Sequence, residues 1–188
     1  MKNDFVMPIL VLSLICLAIS GALALTNSIT APVIEDAAAQ REEAARYEII
    51  PEADGFELIT AEGLPATVSE VFRATNGTGY VFIISASGYG GEMKIICGIG
   101  PDGKLIRSKA LEQAETKGLG SKITEESFSG QFEGKDDQLD GIVAITGATL
   151  SSSAYTGAIH DAFEALRILV TDGLTTSNNN KLILSVSY

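Results

Sequence analysis

Thr146-Gly147-Ala148-Thr149-Leu150-Ser151-Ser152 is a small turn holding one glycine and several hydroxyls, and a helix follows it directly. That helix is predicted over about residues 151–170, where Ala154, Ala158, Ala162, Phe163, Leu166 and Val170 recur at helical spacing. The first N–H groups of a helix lack partners within it, and its dipole is positive at that end. The turn is therefore a natural seat for phosphate. Thr149 adds a hydroxyl at the seat, which suits a covalently attached phosphate as well as a bound one. Serine and threonine also favour helix starts for capping alone, so the heptapeptide by itself leaves an ordinary cap open.

Upstream of this helix the chain reads as strands. Residues 68–74 and 80–86 flank Asn76-Gly77-Thr78-Gly79, a hairpin signal, and residues 92–99 and 104–109 flank Pro101-Asp102-Gly103, a second one. Ser87-Gly88-Tyr89-Gly90-Gly91 links the two hairpins. Residues 112–123 look irregular, with Gly118 and Gly120 among them. An antiparallel meander followed by a helix makes an α+β domain. Residues 177–180 form a polar break, and residues 182–186 are expected to add a last strand. The sequence holds no repeat, metal constellation or βαβ nucleotide-binding glycine pattern.

At the other end, residues 5–25 carry no charge over twenty-one positions, enough to span a hydrocarbon core, and Pro8 and Gly21 are tolerable there. A cleaved signal peptide competes, since Ala22-Leu23-Ala24 has a passable cleavage pattern. The apolar run is longer than the usual signal core, and the preferred reading is an uncleaved anchor. Cys16 follows bulky Leu14 and Ile15, a poor context for lipid attachment. Lys2 precedes the span and the next basic residue is Arg41, so the N-terminus is expected in the cytoplasm and the domain outside it. The predicted organisation is an anchor over 1–25, a juxtamembrane stalk over 26–48 and a single domain over 49–188. Within the stalk, residues 26–31 read as a polar exit and Pro32 as the first turn of an Ala- and Glu-rich helix over 33–47 with little apolar face.

The formal net charge is −11, and Lys2 and Asp4 cancel, so the excess lies beyond the span. Such a domain is a poor nucleic-acid binder. Cys16 and Cys97 form neither a disulfide framework nor a CxxC pair and read as buried thiols. His160, the one histidine, reads as an ordinary surface or capped group on the last helix. No Ser-His-Asp order or paired-carboxylate spacing is present, and no catalytic residue is assigned.

The heptapeptide resembles the S/T-G-A-T-x-S/T signature of proteins that carry FMN as a phosphoester on threonine, with Thr149 at the acceptor position. The resemblance implies a flavin transferase that moves FMN from FAD onto the hydroxyl and releases AMP. Further segments extend it in order: Thr26-Asn27-Ser28-Ile29-Thr30-Ala31-Pro32, Gly88-Tyr89-Gly90-Gly91, and Glu112-Gln113-Ala114-Glu115-Thr116-Lys117-Gly118-Leu119-Gly120. Together they look like the G subunit of Rnf electron-transport complexes. The C subunit of the sodium-translocating NADH:quinone reductase shares the fold and motif but is usually longer than 188 residues. Two positions depart from the pattern. Lys117 stands where the family often has proline, and Val143 stands where it often has aspartate.

The resemblance implies an extracytoplasmic FMN-binding domain, anchored by one transmembrane helix and partnered by the other membrane and peripheral subunits of the complex. In it, FMN relays electrons between ferredoxin and NAD chemistry while ions are moved. It implies a phosphate ester on Thr149, with the N–H groups of Leu150, Ser151 and Ser152 on the phosphate and Gly147 and Ala148 in the turn. Gly88 and Tyr89, together with Glu115, Thr116, Gly118 and Leu119, are candidate walls around the flavin ring. A plain tight connection at 88–91 and an exposed carboxylate at Glu115 are the alternatives. Rival functions are a stand-alone anchored flavoprotein reductase and an anchored binding module without cofactor.

Overall fold

The computed structural model describes the backbone of residues 3–184 and the side chains of residues 6–171. Ten elements follow in order. Helix α1 spans Asn3–Ile49, and strands β1 to β5 span Phe56–Ile59, Val68–Ala74, Tyr80–Ser87, Glu92–Ile99 and Leu105–Gln113. A 3-10 turn at Gly120–Thr124, the short helix α2 (Glu126–Ser129) and a second 3-10 turn at Gly130–Phe132 lead to α3 (Thr149–Leu184). The chain separates into two compact units between Glu43 and Ala44.

In the first unit, α1 is the one helix among the described residues long and apolar enough to cross a membrane, and its apolar side chains from Val6 to Leu25 are exposed. The fresh helix start expected at Pro32 is not found, because α1 continues through residues 26–31 and Pro32 without a break. Thr26 Oγ1 donates to the Ala22 carbonyl at 2.9 Å, Ser28 Oγ to Leu25 at 2.8 Å and Thr30 Oγ1 to Thr26 at 3.0 Å. With their hydroxyls turned back onto the preceding turn, these residues do not compete for the helix's own donors. Pro32 then costs the helix one hydrogen bond without ending it.

In the second unit each strand pairs antiparallel with its neighbour in sequence, giving a five-stranded sheet in the order β1-β2-β3-β4-β5. The two expected hairpins are present, and β5 extends four residues beyond the expected end at Lys109. Strand β1 is an addition to the expected set: it is four residues long and keeps Leu58 exposed, so it carries little of the alternation that marks a strand.

Both faces of the sheet are covered, which explains why Val81-Phe82-Ile83-Ile84 is apolar throughout. Val81 and Ile83 point to one side with Ile96 and Ala74, where Ala45, Ile49 and Ile50 from the end of α1 pack on them. Burying each such isoleucine contributes roughly 2 kcal/mol. Phe82 and Ile84 point to the other side with Ile95, Cys97 and Ile99, and there α3 lies across the sheet. Its buried seam is Tyr155, Ala158, Ile159, Ala162 and Phe163, with Leu166 and Leu169 partly buried. The predicted stripe follows this seam, with Ala158, Ala162 and Phe163 buried and Ala154 and Leu166 packed against it. The seam is wider, taking in Tyr155 and Ile159, and it stops short of Val170, which is 51% exposed.

Tyr155 is the keystone of this face. Its ring meets Phe128 at 5.4 Å and Phe132 at 5.3 Å, and its hydroxyl donates to Ser108 Oγ at 3.0 Å. Burial pushes both its phenol and the Cys97 thiol well above their ordinary pKa values, so both stay neutral. Cys97 is thus the inert thiol expected, while Cys16 is exposed on α1. The expected break at 177–180 is not found and the strand expected at 182–186 is not formed over 182–184, because the backbone of α3 continues as helix to Leu184. Residues 185 and 186 lie outside the described residues.

Candidate functional site

Three segments converge beside the start of α3 and enclose a cleft of about 250 Å³. They are the β3–β4 turn, the stretch after β5, and the Gly147–Ser151 turn. Lining residues are Tyr89, Glu115, Thr116, Leu119, Gly120, Gly147, Ala148, Thr149, Leu150 and Ser151.

The turn begins at Gly147, whose φ of +81° lies in the left-handed region that disfavours any side chain. The need for glycine there comes from local backbone conformation. Upstream, the Gln131 side chain grips Val143 from both sides, accepting from its N–H at 2.8 Å and donating to its carbonyl at 3.2 Å. Gln131 thus holds the run into the turn through the backbone of Val143.

The Ser152 N–H donates to the Ala148 carbonyl at 2.9 Å, which makes Ala148 the cap and Thr149 the first helical residue. The N–H groups that α3 leaves unused are those of Thr149, Leu150 and Ser151. This corrects the expected set of Leu150 to Ser152 by one position. Ser152 instead locks the turn: its Oγ accepts from the Ile145 N–H at 3.0 Å and donates to the Ala148 carbonyl at 2.9 Å. Ser151 Oγ donates to Glu115 Oε2 at 2.8 Å. Ser151 and Ser152 are both 1% exposed, whereas Thr149 is exposed and its hydroxyl has no partner among the described residues.

The exposed-carboxylate alternative for Glu115 does not hold, since the residue is 9% exposed and lies on the cleft floor. Its Oε1 accepts from the Gly90 N–H at 3.2 Å, and its own N–H donates to Gln113 Oε1 at 2.6 Å. Around the rim, Tyr89, Leu119 and Leu150 are exposed by 76%, 48% and 58%. Three large apolar side chains open to solvent around one cleft mark a ligand surface. The arrangement can receive a phosphate at the helix end and lay a flat apolar ring across the rim.

The FMN-binding domain family matches residues 88–164, a span that contains all three segments of the cleft. The chain is 29% identical to the G subunit of the Na(+)-translocating ferredoxin:NAD(+) oxidoreductase complex of Acetobacterium woodii, covering 85% of this chain and 90% of that one. It is 31% identical to the G subunit of the ion-translocating oxidoreductase complex of Methanosarcina acetivorans, covering 83% and 92%. The chain belongs to the G-subunit family of ion-translocating oxidoreductase complexes. Among solved structures it is similar to Shewanella oneidensis NqrC, with a TM-score of 0.45 and 18% identity over 56% of this chain and 63% of that one.

Of the residues expected at the site of this G-subunit family member, nine line the cleft. Gly88, Gly118 and Ser152 do not. Gly88 lies behind Glu115, where a Cβ would overlap the Glu115 carboxylate and Met93. Gly118 turns the loop, and its N–H donates to Ser121 Oγ at 2.9 Å. Gly120 lines the cleft without having been expected there; its place in the Gly118-Leu119-Gly120 run is the available signal. His160 lies apart, on a second cleft of about 310 Å³ beside Asp136, Asp137 and Arg167.

Proposed function

We propose that this chain is an electron-relay subunit of a membrane-bound, ion-translocating ferredoxin:NAD oxidoreductase, with FMN joined through its phosphate to Thr149. The observation that carries this reading is the free hydroxyl of Thr149 in the cleft at the start of α3. Ser151 and Ser152 are buried and engaged, while Thr149 is exposed, unengaged and beside three open N–H groups.

A flavin transferase that brings FAD supplies the second reactant. Thr149 Oγ attacks the phosphorus on the FMN side of the pyrophosphate, forming the Oγ–P bond as the P–O bond to AMP breaks. AMP leaves, the hydroxyl proton passes to solvent, and no atom changes oxidation state. The N–H groups of Thr149, Leu150 and Ser151 would hold the phosphate oxygens, aided by the helix dipole. Tyr89, Leu119 and Leu150 supply apolar cover, and the ester keeps the cofactor from being lost at an open site. Bound FMN supplies the redox chemistry, and this chain's residues fix where it occurs. Intact-protein mass of the wild-type chain, made together with its transferase, should show one added FMN. An unmodified mass would sink the proposal.

Helix α1 anchors the protein beside its partners, with the N-terminus in the cytoplasm and the FMN-binding domain on the other side. Lys2 before the span supports this orientation. A cysteine introduced at exposed Glu62 should react with a membrane-impermeant thiol reagent in intact cells. Reaction only after lysis would reverse the orientation.

A further inference from the structure

Four polar or charged side chains are buried among the described residues, and three of them, Glu115, Ser151 and Ser152, meet at the start of α3. Glu115 is the one buried carboxylate in that set. Removing a carboxylate from water is costly unless its oxygens find donors, and here each oxygen has one, from Ser151 and from Gly90. The surroundings are also cleared for it. A Cβ at Gly88 or at Gly120 would overlap the carboxylate oxygens, and one at Gly90 would run into the Glu115 backbone. Two positions on separate segments thus lack side chains where one carboxylate needs the space, and a third, Gly90, leaves room for the backbone at Ala114 and Glu115.

We propose that Glu115 is the positioning residue of the acceptor turn, a role that rests on Thr149 being the flavin-bearing residue. The Ser151 hydroxyl has a single proton, and it points at Glu115. Ser151 therefore offers phosphate only its N–H, in line with those of Thr149 and Leu150. The same bond ties the first turn of α3 to the stretch after β5 and, through Gly90, to the β3–β4 turn. Glu115 acts through Ser151 and not by contact with the phosphate, an arrangement that keeps a negative group from facing another. With Ser151 held, the Thr149 hydroxyl is the one presented to the flavin donor.

The test uses the full chain, its transferase and FAD, with labelling followed by intact mass and corrected for the folded fraction. Glu115→Gln keeps the shape but sets an amide N–H against one of the two donors. Ser151→Ala removes the donor from the other side. Each should lower the kcat of labelling at Thr149 on the order of tenfold to a hundredfold, because a displaced reacting group costs that much. The KM for FAD should stay unchanged. A role in folding alone would lower the folded fraction and leave the rate per folded molecule as in wild type, and that result would overturn the proposal. If Glu115→Gln does not fold, Ser151→Ala decides by the same criterion. A wild-type chain that takes no label sinks the Thr149 reading, whereas labelled wild type with equally labelled variants sinks only the Glu115 role.

Discussion

Replacing Thr149 by alanine is expected to abolish flavin that survives denaturation while leaving the domain folded. The hydroxyl has no partner among the described residues and the side chain is exposed, so the folded state loses nothing it was using. Alanine is also the better helix former at the start of α3, and the change in stability should stay within about 0.5 kcal/mol. The loss of label should nevertheless be complete, because Ser151 and Ser152 are buried and engaged, and exposed Thr146 and Ser153 do not line the cleft. Flavin fluorescence in a denaturing gel should vanish, the thermal transition should stay in place, and a complex carrying the variant should lose ferredoxin-to-NAD electron transfer. Thr149→Ser should retain partial label, since it keeps the nucleophilic oxygen. Covalent flavin on Thr149→Ala, at Thr146 or Ser151, would refute the assignment.

Tyr155→Ala should have the largest effect on stability. The ring is fully buried between Phe128 and Phe132, and its hydroxyl satisfies Ser108, which is only 3% exposed. Truncation leaves a cavity and an orphaned hydroxyl, a cost of roughly 3–5 kcal/mol for an aromatic of this size. That is a large share of the ~5–15 kcal/mol that holds a typical domain together. The melting temperature should fall by about 10 °C. Tyr155→Phe keeps the ring and loses only the hydrogen bond, at about 1 kcal/mol. If the two variants melted together, the hydroxyl and not the ring would be the keystone.

These two residues show unequally how far the sequence can be read. Thr149 stands in a short local pattern, and its reading needs only the turn and the helix that follows. Strands β2 to β5 and their hairpin turns are legible for the same reason, since alternation and turn chemistry are local. Tyr155 escapes such a reading because the buried face of α3 is wider than the stripe that spacing marks, and only the sheet beneath the helix shows that width. The continuity of α1 is hidden by Pro32, which reads as a helix start unless the hydroxyls that turn back onto the preceding turn are known. Glu115 is legible as a wall, but its burial depends on Gly88, Gly90, Gly120 and Ser151, residues up to 63 positions apart that meet only in the folded domain.

The order β1-β2-β3-β4-β5 bears on how the protein is made. Each strand's partner is the one just before it, so the sheet can be laid down in the direction of synthesis without waiting for distant chain, a topology that favours rapid folding. Helix α3 comes last, and the turn that carries Thr149 has no cradle until Glu115 and the β3–β4 turn are already in place. On the proposal that Thr149 carries the flavin, attachment belongs to the end of biogenesis, and the modification is a stamp that only a finished domain can receive.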